Sequence, residues 1–291
     1  MKNKFSSICI SSTSEDERVQ LIAMQIYEIL SNKGCEVFHD LSLKRFEGTI
    51  KSKYRSEKFI IERSDLIIAI GGDGTILNCS RKYGSKGLPI LGINLGKLGF
   101  LTDIAPANIT NELMDVIDGN SLIDNRFFLK TILSNNSSYL ALNEVVIHSG
   151  AIAQLIEFDL FIDEQFVYRQ KADGIIINTP TGSTAYSLSG GGPILHPNIQ
   201  VFSILPMFPQ SLSTSPLVVD ADSTLRIELI SKSNAKLSFD SHDLVEISNK
   251  VSIEISKSKD TLSLIHPVDH DFYESCRTKL GWSSNISNSK E

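Results

Sequence analysis

Asp65–Thr75 reads DLIIAIGGDGT: five apolar residues that stop abruptly at Gly71-Gly72-Asp73-Gly74-Thr75. An unbroken apolar run of that length, closed by a glycine turn, predicts a strand buried on both faces. The flanking sequence sets the class. Upstream, Phe5–Ser11 reads as a first strand. Ser14 followed by Glu15-Asp16-Glu17 reads as an N-cap with an acidic first turn, and Val19, Ile22, Ala23, Ile26 and Leu30 then recur at helical spacing. Gly34 closes that helix, Cys35–His39 reads as a second strand, and a basic connection leads to a short helix near Ser56–Arg63. Downstream, Thr75–Tyr83 predicts a helix, Leu88–Asn94 a strand ending in Gly96-Lys97-Leu98-Gly99-Phe100, and Asn108–Ile117 another helix. Alternating strands and helices imply a Rossmann-like α/β domain with a parallel sheet over residues 1–124.

In such sheets ligands gather beyond the carboxyl ends of the strands, and GGDGT lies directly behind one. Glycines leave N–H groups open to a phosphate at the start of the next helix. An aspartate among them can contact a metal or accept a proton. An Asp-Gly turn with no ligand is the competing reading. The stretch is neither a GxGxxG fingerprint nor a P-loop.

From about Asn125 the period changes. Phe127–Leu133, Tyr139–His148, Gln154–Ile162, Ile175–Asn178, Val201–Met207, Thr224–Ile230, Leu244–Ile247 and Val251–Ile255 are short strand-like runs separated by turn residues. They predict a mostly antiparallel β domain over 125–265. Asp269–Leu280 is helical in pattern, with Gly281 behind it, and is expected to pack back on the N-terminal domain. Residues 266–291 thus hold a helix and a low-complexity tail, Ser283–Glu291, expected to be disordered.

Within the β region Lys171–Pro197, KADGIIINTPTGSTAYSLSGGGPILHP, runs from a β-branched strand into a hydroxyl-rich turn and three glycines. Such a loop admits a ligand close to its backbone, although a tight surface loop has the same composition. Asn143-Glu144 interrupts the apolar LNEVVIH. A buried polar pair needs hydrogen-bond partners, and a ribose, an adenine amino group or a neighbouring strand would each supply them. His148 reads as a structural histidine and His196 as a turn residue.

Lys+Arg total 28 against 34 Asp+Glu, a net charge of -6 that lacks the basic excess of a nucleic-acid binder. The basic stretch Lys44–Lys58 reads as a solvated face or as an attractant for nucleotide phosphate. Cys9, Cys35, Cys79 and Cys276 have neither zinc nor disulfide spacing and fit reduced thiols. The N-terminus lacks a signal-like apolar core, and no run approaches the ~20 residues that span a bilayer. A cytoplasmic protein without membrane or nucleic-acid partners is expected.

Together GGDGT, NEVVIH and ADGIIINTPTGSTAYSLSGGGPILHP resemble the bacterial NAD kinase family. The likeness extends to VFSILPMFPQSLSTSPLVV, to the SFDS turn ending at Ser241 and to HPVDHDFYESCRTKLGW. GGDGT is shared with lipid kinases and loosely with phosphofructokinases; TPTGSTAYS with its upstream NE is far more restricted. The resemblance implies transfer of the ATP γ-phosphate, or of polyphosphate phosphate, to the 2′-hydroxyl of the adenosine ribose of NAD. It implies Mg²⁺ or another divalent metal arriving with ATP, and a homodimer or homotetramer. It implies that Asp73 is the proton acceptor, with Gly74 beside it. Asn143 and Glu144 would hold NAD, and Asp173 would serve its nicotinamide side or second nucleoside. Thr184, Ala185, Tyr186 and Ser189, with Ser187 and Leu188 between them, would line the dinucleotide pocket. Gln154, Lys171 and His242 fall where family members place polar contacts.

The residue types suit the chemistry. A carboxylate can take the proton of a weakly nucleophilic alcohol, and phosphoryl transfer otherwise needs positioning and charge neutralisation. No metal-ligand spacing appears in the sequence. Gln210 and Ser215 stand where the family often has histidine and arginine, Ser241 where it often has glycine, and Asn78 is a further departure. All four bear on the donor site and on NAD over NADH. A lipid or sugar kinase of the GGDGT group, and a dinucleotide sensor without turnover, are the competing functions.

Overall fold

The computed structural model describes residues 3–46, 54–96, 99–151, 154–211, 214–230, 235–247 and 251–282. The sequence readings on Glu47, Lys51, Lys53, Lys97, Leu98 and Ser283–Glu291 lie outside the described residues. The chain divides into two compact units, 1–125 with 262–291, and 126–261.

In the first unit β1 (Ser7–Ser11), β2 (Glu36–Asp40), β3 (Tyr54–Arg55), β4 (Leu66–Ile70) and β5 (Ile90–Ile93) form a parallel sheet in the order β3-β2-β1-β4-β5. The helices are α1 (Arg18–Asn32), α2 (Glu57–Arg63), α3 (Asp73–Lys82) and α4 (Ile109–Asp118). Every residue of β4 is buried, as its unbroken apolar run requires. α1 buries Val19, Ile22, Ala23, Ile26 and Leu30 against the sheet, each large side chain contributing roughly 1.5–3 kcal/mol.

Two helix starts differ from expectation. α1 begins at Arg18 rather than behind Ser14, and no side chain caps it. The Asp16 carboxylate accepts instead from the Arg18 backbone N–H at 2.9 Å and from its guanidinium at 3.0 Å. The acidic residues therefore form a local turn ahead of the helix. α3 begins at Asp73 rather than Thr75, because Gly72 in an extended conformation serves as its N-cap.

The second unit is built from β6 (Leu122–Leu133, which begins in the first unit), β7 (Ser138–Ala141), β8 (Glu144–His148), β9 (Ile156–Ile162), β10 (Gln165–Ala172), β11 (Gly174–Asn178), a one-turn helix α5 (Tyr186–Ser189), β12 (Val201–Met207), β13 (Leu217–Asp220), β14 (Leu225–Leu229), β15 (Ala235–Phe239), β16 (Asp243–Ile247) and β17 (Ser252–His266). A six-stranded antiparallel sheet runs β13-β12-β11-β8-β15-β16. Strands β10-β9-β14-β17 form the other, with β6 on β17 and β7 on β6. β17 serves both units: Ser252–Ile255 pairs with β14, while Leu264 and Ile265 pair in parallel with β5. α6 (Phe272–Leu280) belongs to the first unit, as expected of the C-terminal helix, with Asp271 as N-cap and Gly281 closing it at φ 67.

Residue alternation in β8 and β11 decides what the six-stranded sheet presents. Val145, Ile147, Ile175 and Ile177 point into the main core with Phe158, Phe202 and Phe239. Val146, Ile176 and Leu205 form a smaller cluster with Met207. On that same face the register aligns Glu144, Asn178 and Ser203 in a polar row.

Candidate active site

In the first unit β4 delivers the GGDGT turn. Asp73, half-buried, is the first residue of α3, between the exposed Gly72 and Gly74. Its carboxylate is gripped by the turn after β5: Oδ2 accepts from the Phe100 N–H and Oδ1 from the Leu101 N–H, both at 3.0 Å. That turn passes Asp73 only because residue 99 is glycine; a Cβ there would lie 2.0 Å from Asp73 Oδ1. The Gly99 N–H donates to Thr102 Oγ1 at 2.8 Å and closes the turn. Sequence reading marked this glycine stretch but did not join it to Asp73; its only signal was a second glycine turn behind a buried strand. Lys279 of α6 sits against the same turn, its ammonium 4.1 Å from the centre of the Phe100 ring.

The fold also joins residues distant in sequence. His266 and His270 both bond Asp103 through Nδ1, His270 at 2.9 Å, and their rings stack with centroids 4.0 Å apart. Among the described residues this is the one His/Cys/carboxylate group close enough to suggest a metal. Both Nδ1 atoms are already spent on the Asp103 carboxylate, so the cluster reads as an ion-paired pin. The two imidazoles hold the Asp103 carboxyl far below its usual range, and His266 is pushed up to about 9, the pull of Asp103 and Asp124 exceeding the cost of burial.

In the second unit the strand expected over Tyr139–His148 breaks at Leu142-Asn143. The cause is Asp240, on the turn after β15 at φ 51. Its carboxylate accepts the N–H groups of Leu142 at 2.9 Å, Asn143 at 2.7 Å and Glu144 at 3.2 Å. The TPTGST turn packs on the other side of the break. The Thr179 hydroxyl donates to the Leu142 carbonyl at 2.5 Å, the Thr179 N–H donates to the Asn143 carbonyl at 2.9 Å, and buried Arg126 donates to Thr181 Oγ1 at 2.9 Å. Gly182 is required there, since a Cβ would lie 2.1 Å from the Asn143 carbonyl oxygen.

Asn143 and Glu144 are thereby buried, 7% and 2% exposed, yet Asn143 Oδ1 and Glu144 Oε2 have no hydrogen-bond partner among the described residues. Burial, aided by the neighbouring Asp240 charge, pushes the Glu144 carboxyl up to about 8. On the same sheet face a cavity of about 480 Å³ is walled by Val146, His148, Asp173, Tyr186, Met207 and Ser241. A second, of about 520 Å³, lies across Tyr186 and reaches Ser189, Leu205 and Phe208.

Two family models match this chain in sequence. That of the ATP-NAD kinase N-terminal domain covers residues 10–121, and that of the ATP-NAD kinase C-terminal domain covers 142–267. An NAD kinase of Teredinibacter turnerae is 45% identical over 98% of this chain and 99% of its own. The chain belongs to the ATP-NAD kinase family. Another NAD kinase, from Saccharophagus degradans, is 39% identical over 97% of this chain and 98% of its own. The fold is that of the family as well. Yeast NADH kinase complexed with NADH superposes with a TM-score of 0.87 at 26% identity, over 98% of this chain and 90% of its own. An Archaeoglobus fulgidus NAD kinase in complex with ATP gives 0.75 at 26% identity, over 94% and 98%.

The residues that the NAD kinase resemblance singles out are not all gathered by the fold. Asp173 and Tyr186 share the wall of the first cavity, where His148 and Ser241 join them. Ser189 lines the second cavity, Ser187 is fully buried, and Thr184, Ala185 and Leu188 are half-buried. Lys171 instead lies on β10, with its ammonium 3.7 Å from Glu157. Gln154 is exposed ahead of β9, and His242 is exposed, with its N–H bonded to the Phe239 carbonyl. Asp240, which holds the Asn143-Glu144 turn, escaped sequence reading; FDS carries no sign of a partner some hundred residues upstream. His148, read as structural, borders the cavity with Nδ1 accepting from the Gly150 N–H at 3.1 Å. Among the described residues no helix is long and apolar enough to cross a membrane.

Proposed function

We propose that this NAD kinase transfers the γ-phosphate of ATP to the 2′-hydroxyl of the adenosine ribose of NAD, with Asp73 as proton acceptor. The observation that carries the NAD side is the pair of unpartnered buried oxygens on Asn143 and Glu144. A buried acceptor left unpaired costs about 1–3 kcal/mol, and ribose hydroxyls are donors of the required size. At neutral pH the Glu144 carboxyl, with its raised pKa, holds a proton in the free protein, so it offers a donor as well. Tyr186 offers a ring face for a base, and Asp173 a carboxylate for the second nucleoside.

In the transfer the 2′-oxygen bonds to the γ-phosphorus while the bond from that phosphorus to the β–γ bridging oxygen breaks. ADP leaves with the electron pair, and the hydroxyl proton passes to Asp73 and then to water. The Phe100 and Leu101 N–H groups fix the carboxylate for this role. They leave lone pairs on both oxygens, so Asp73 also suits a water-rich Mg²⁺ held by one carboxylate and the donor phosphates. That cation, when bound, neutralises phosphate charge. The relatives named NAD kinase and the yeast and archaeal complexes support this reading.

Purified protein supplied with NAD or NADH, ATP or polyphosphate, and Mg²⁺ tests it through a strictly NADP-dependent dehydrogenase. NADP from NAD and ATP is the expected product; no phosphorylated dinucleotide from any pairing would contradict the reading. A homodimer or homotetramer belongs to the same proposal. Light scattering checks it, and the mass of a single 32.1 kDa chain would refute it.

A further inference from the structure

We propose that Lys279, from the C-terminal helix, supplies a cation to the donor phosphates at the GGDGT turn. The inference rests on the function proposed above and adds a residue to it. Lys279 lies in α6, just over two hundred residues along the chain from GGDGT, yet its ammonium is 4.1 Å from the Phe100 ring centre. Phe100 is the residue whose N–H holds Asp73 Oδ2 at 3.0 Å. The ring therefore seats the ammonium on the turn that grips the proposed base. Cation–π seating of this kind fixes where the charge stands.

The charges that Lys279 faces are Asp73 from α3 and Asp103 from the segment after β5, with the Cys276 thiol on its own helix. Among the described residues it makes no hydrogen bond or ion pair. Neither carboxylate bonds the half-buried ammonium directly, and burial outweighs their pull and draws its pKa down. Folds that carry such a group commonly have an anion to offer it at a functional site. Here the anion is at hand in the chemistry: the donor phosphates meet the exposed Gly72-Asp73-Gly74 backbone at the first turn of α3. Positive side chains aimed at the transferring phosphoryl group stabilise the charge on its oxygens as the bond to the leaving group breaks. Lys279 takes no proton in the step and forms no bond to phosphorus.

The test compares wild type, Lys279→Met and Lys279→Arg. Methionine keeps an unbranched stem over Phe100 and removes the charge. Steady-state rates are measured with ATP varied at saturating NAD and with NAD varied at saturating ATP. In the Met variant kcat/KM for ATP is expected to fall about tenfold or more, while KM for NAD stays within about twofold. Arginine restores most of the loss, and thermal melting leaves all three folded alike. An unchanged kcat/KM for ATP in the Met variant, or a KM for NAD raised as much as the KM for ATP, would overturn the proposal. Calorimetric titration of ATP into wild type and Lys279→Met needs no turnover, so it keeps this inference separate from the proposed activity. Weaker ATP binding in the variant is expected, and equal affinity would overturn it.

Discussion

Asp73 and Asp240 do opposite jobs with the same side chain. Asp73 is held by two N–H groups and left half-open, whereas Asp240 is buried and spends its carboxylate on three backbone N–H groups. Asp240→Asn keeps the shape but offers only one oxygen as an acceptor. It should cost about 1–3 kcal/mol of stability, seen as a lower melting temperature. It should also raise KM for NAD, because the Asn143-Glu144 turn loses its clamp. A melting curve and KM both unchanged would show that the clamp carries nothing. Asp73, Asn143 and Glu144 could be named from the sequence because each sits inside a dense local motif. Asp240 and Lys279 could not, because their partners lie far along the chain and only folding brings them together.

The turn after β5 is the clearest case at the scale of an element. Gly99→Ala places a methyl group 2.0 Å from Asp73 Oδ1, so either the turn or the carboxylate must move. A shift of about 1 Å at a reacting group can cost about a hundredfold in rate. NADP formation should fall accordingly while far-UV circular dichroism stays native; full activity would mean that the grip on Asp73 is dispensable. Long periodic elements were legible before folding: the five buried positions of α1 and the wholly buried β4 are those the pattern marks. Four strands were missed. β3 is two residues long, β10 exposes most of its residues, and β13 and β15 are short and only partly buried, so none carries a strong apolar signal. β17 was expected to end at Ile255 and runs to His266, because its polar middle is carried by pairing rather than by hydrophobicity. The start of α1 differs because Asp16 binds both the backbone N–H and the guanidinium of Arg18 and so forms a turn ahead of the helix.

For the molecule as a whole, buried titratable groups set how stability depends on pH. Burial draws His39, fully enclosed and with no hydrogen-bond partner among the described residues, down to about 4 from 6.5. The unfolded chain then binds the extra proton, so stability is lost as pH falls from 6.5 to 4. Glu144 at about 8 and His266 at about 9 are raised, so the folded state holds their protons longer. The Glu144 contribution declines as pH rises from about 4.5 through 8, and that of His266 as pH rises from about 6.5 through 9. Each pH unit of separation corresponds to about 1.4 kcal/mol. The ligand-free protein should therefore melt at the highest temperature in mildly acidic solution and lose stability toward pH 9. Glu144→Gln should flatten part of that alkaline decline, and His39→Leu should flatten the acid one. Melting curves from pH 4 to 9 that are unaltered by either substitution would refute the assignment.

The most direct measurement is NADP formation from NAD, ATP and Mg²⁺ by wild type beside Asp73→Asn. A general base is worth about 10²–10⁴ in rate. Wild type should therefore produce NADP, and the variant should be slower by at least about a hundredfold while remaining folded. Comparable turnover by the two proteins would contradict Asp73 as proton acceptor, and NAD binding without turnover in wild type would leave a dinucleotide sensor in place of an enzyme.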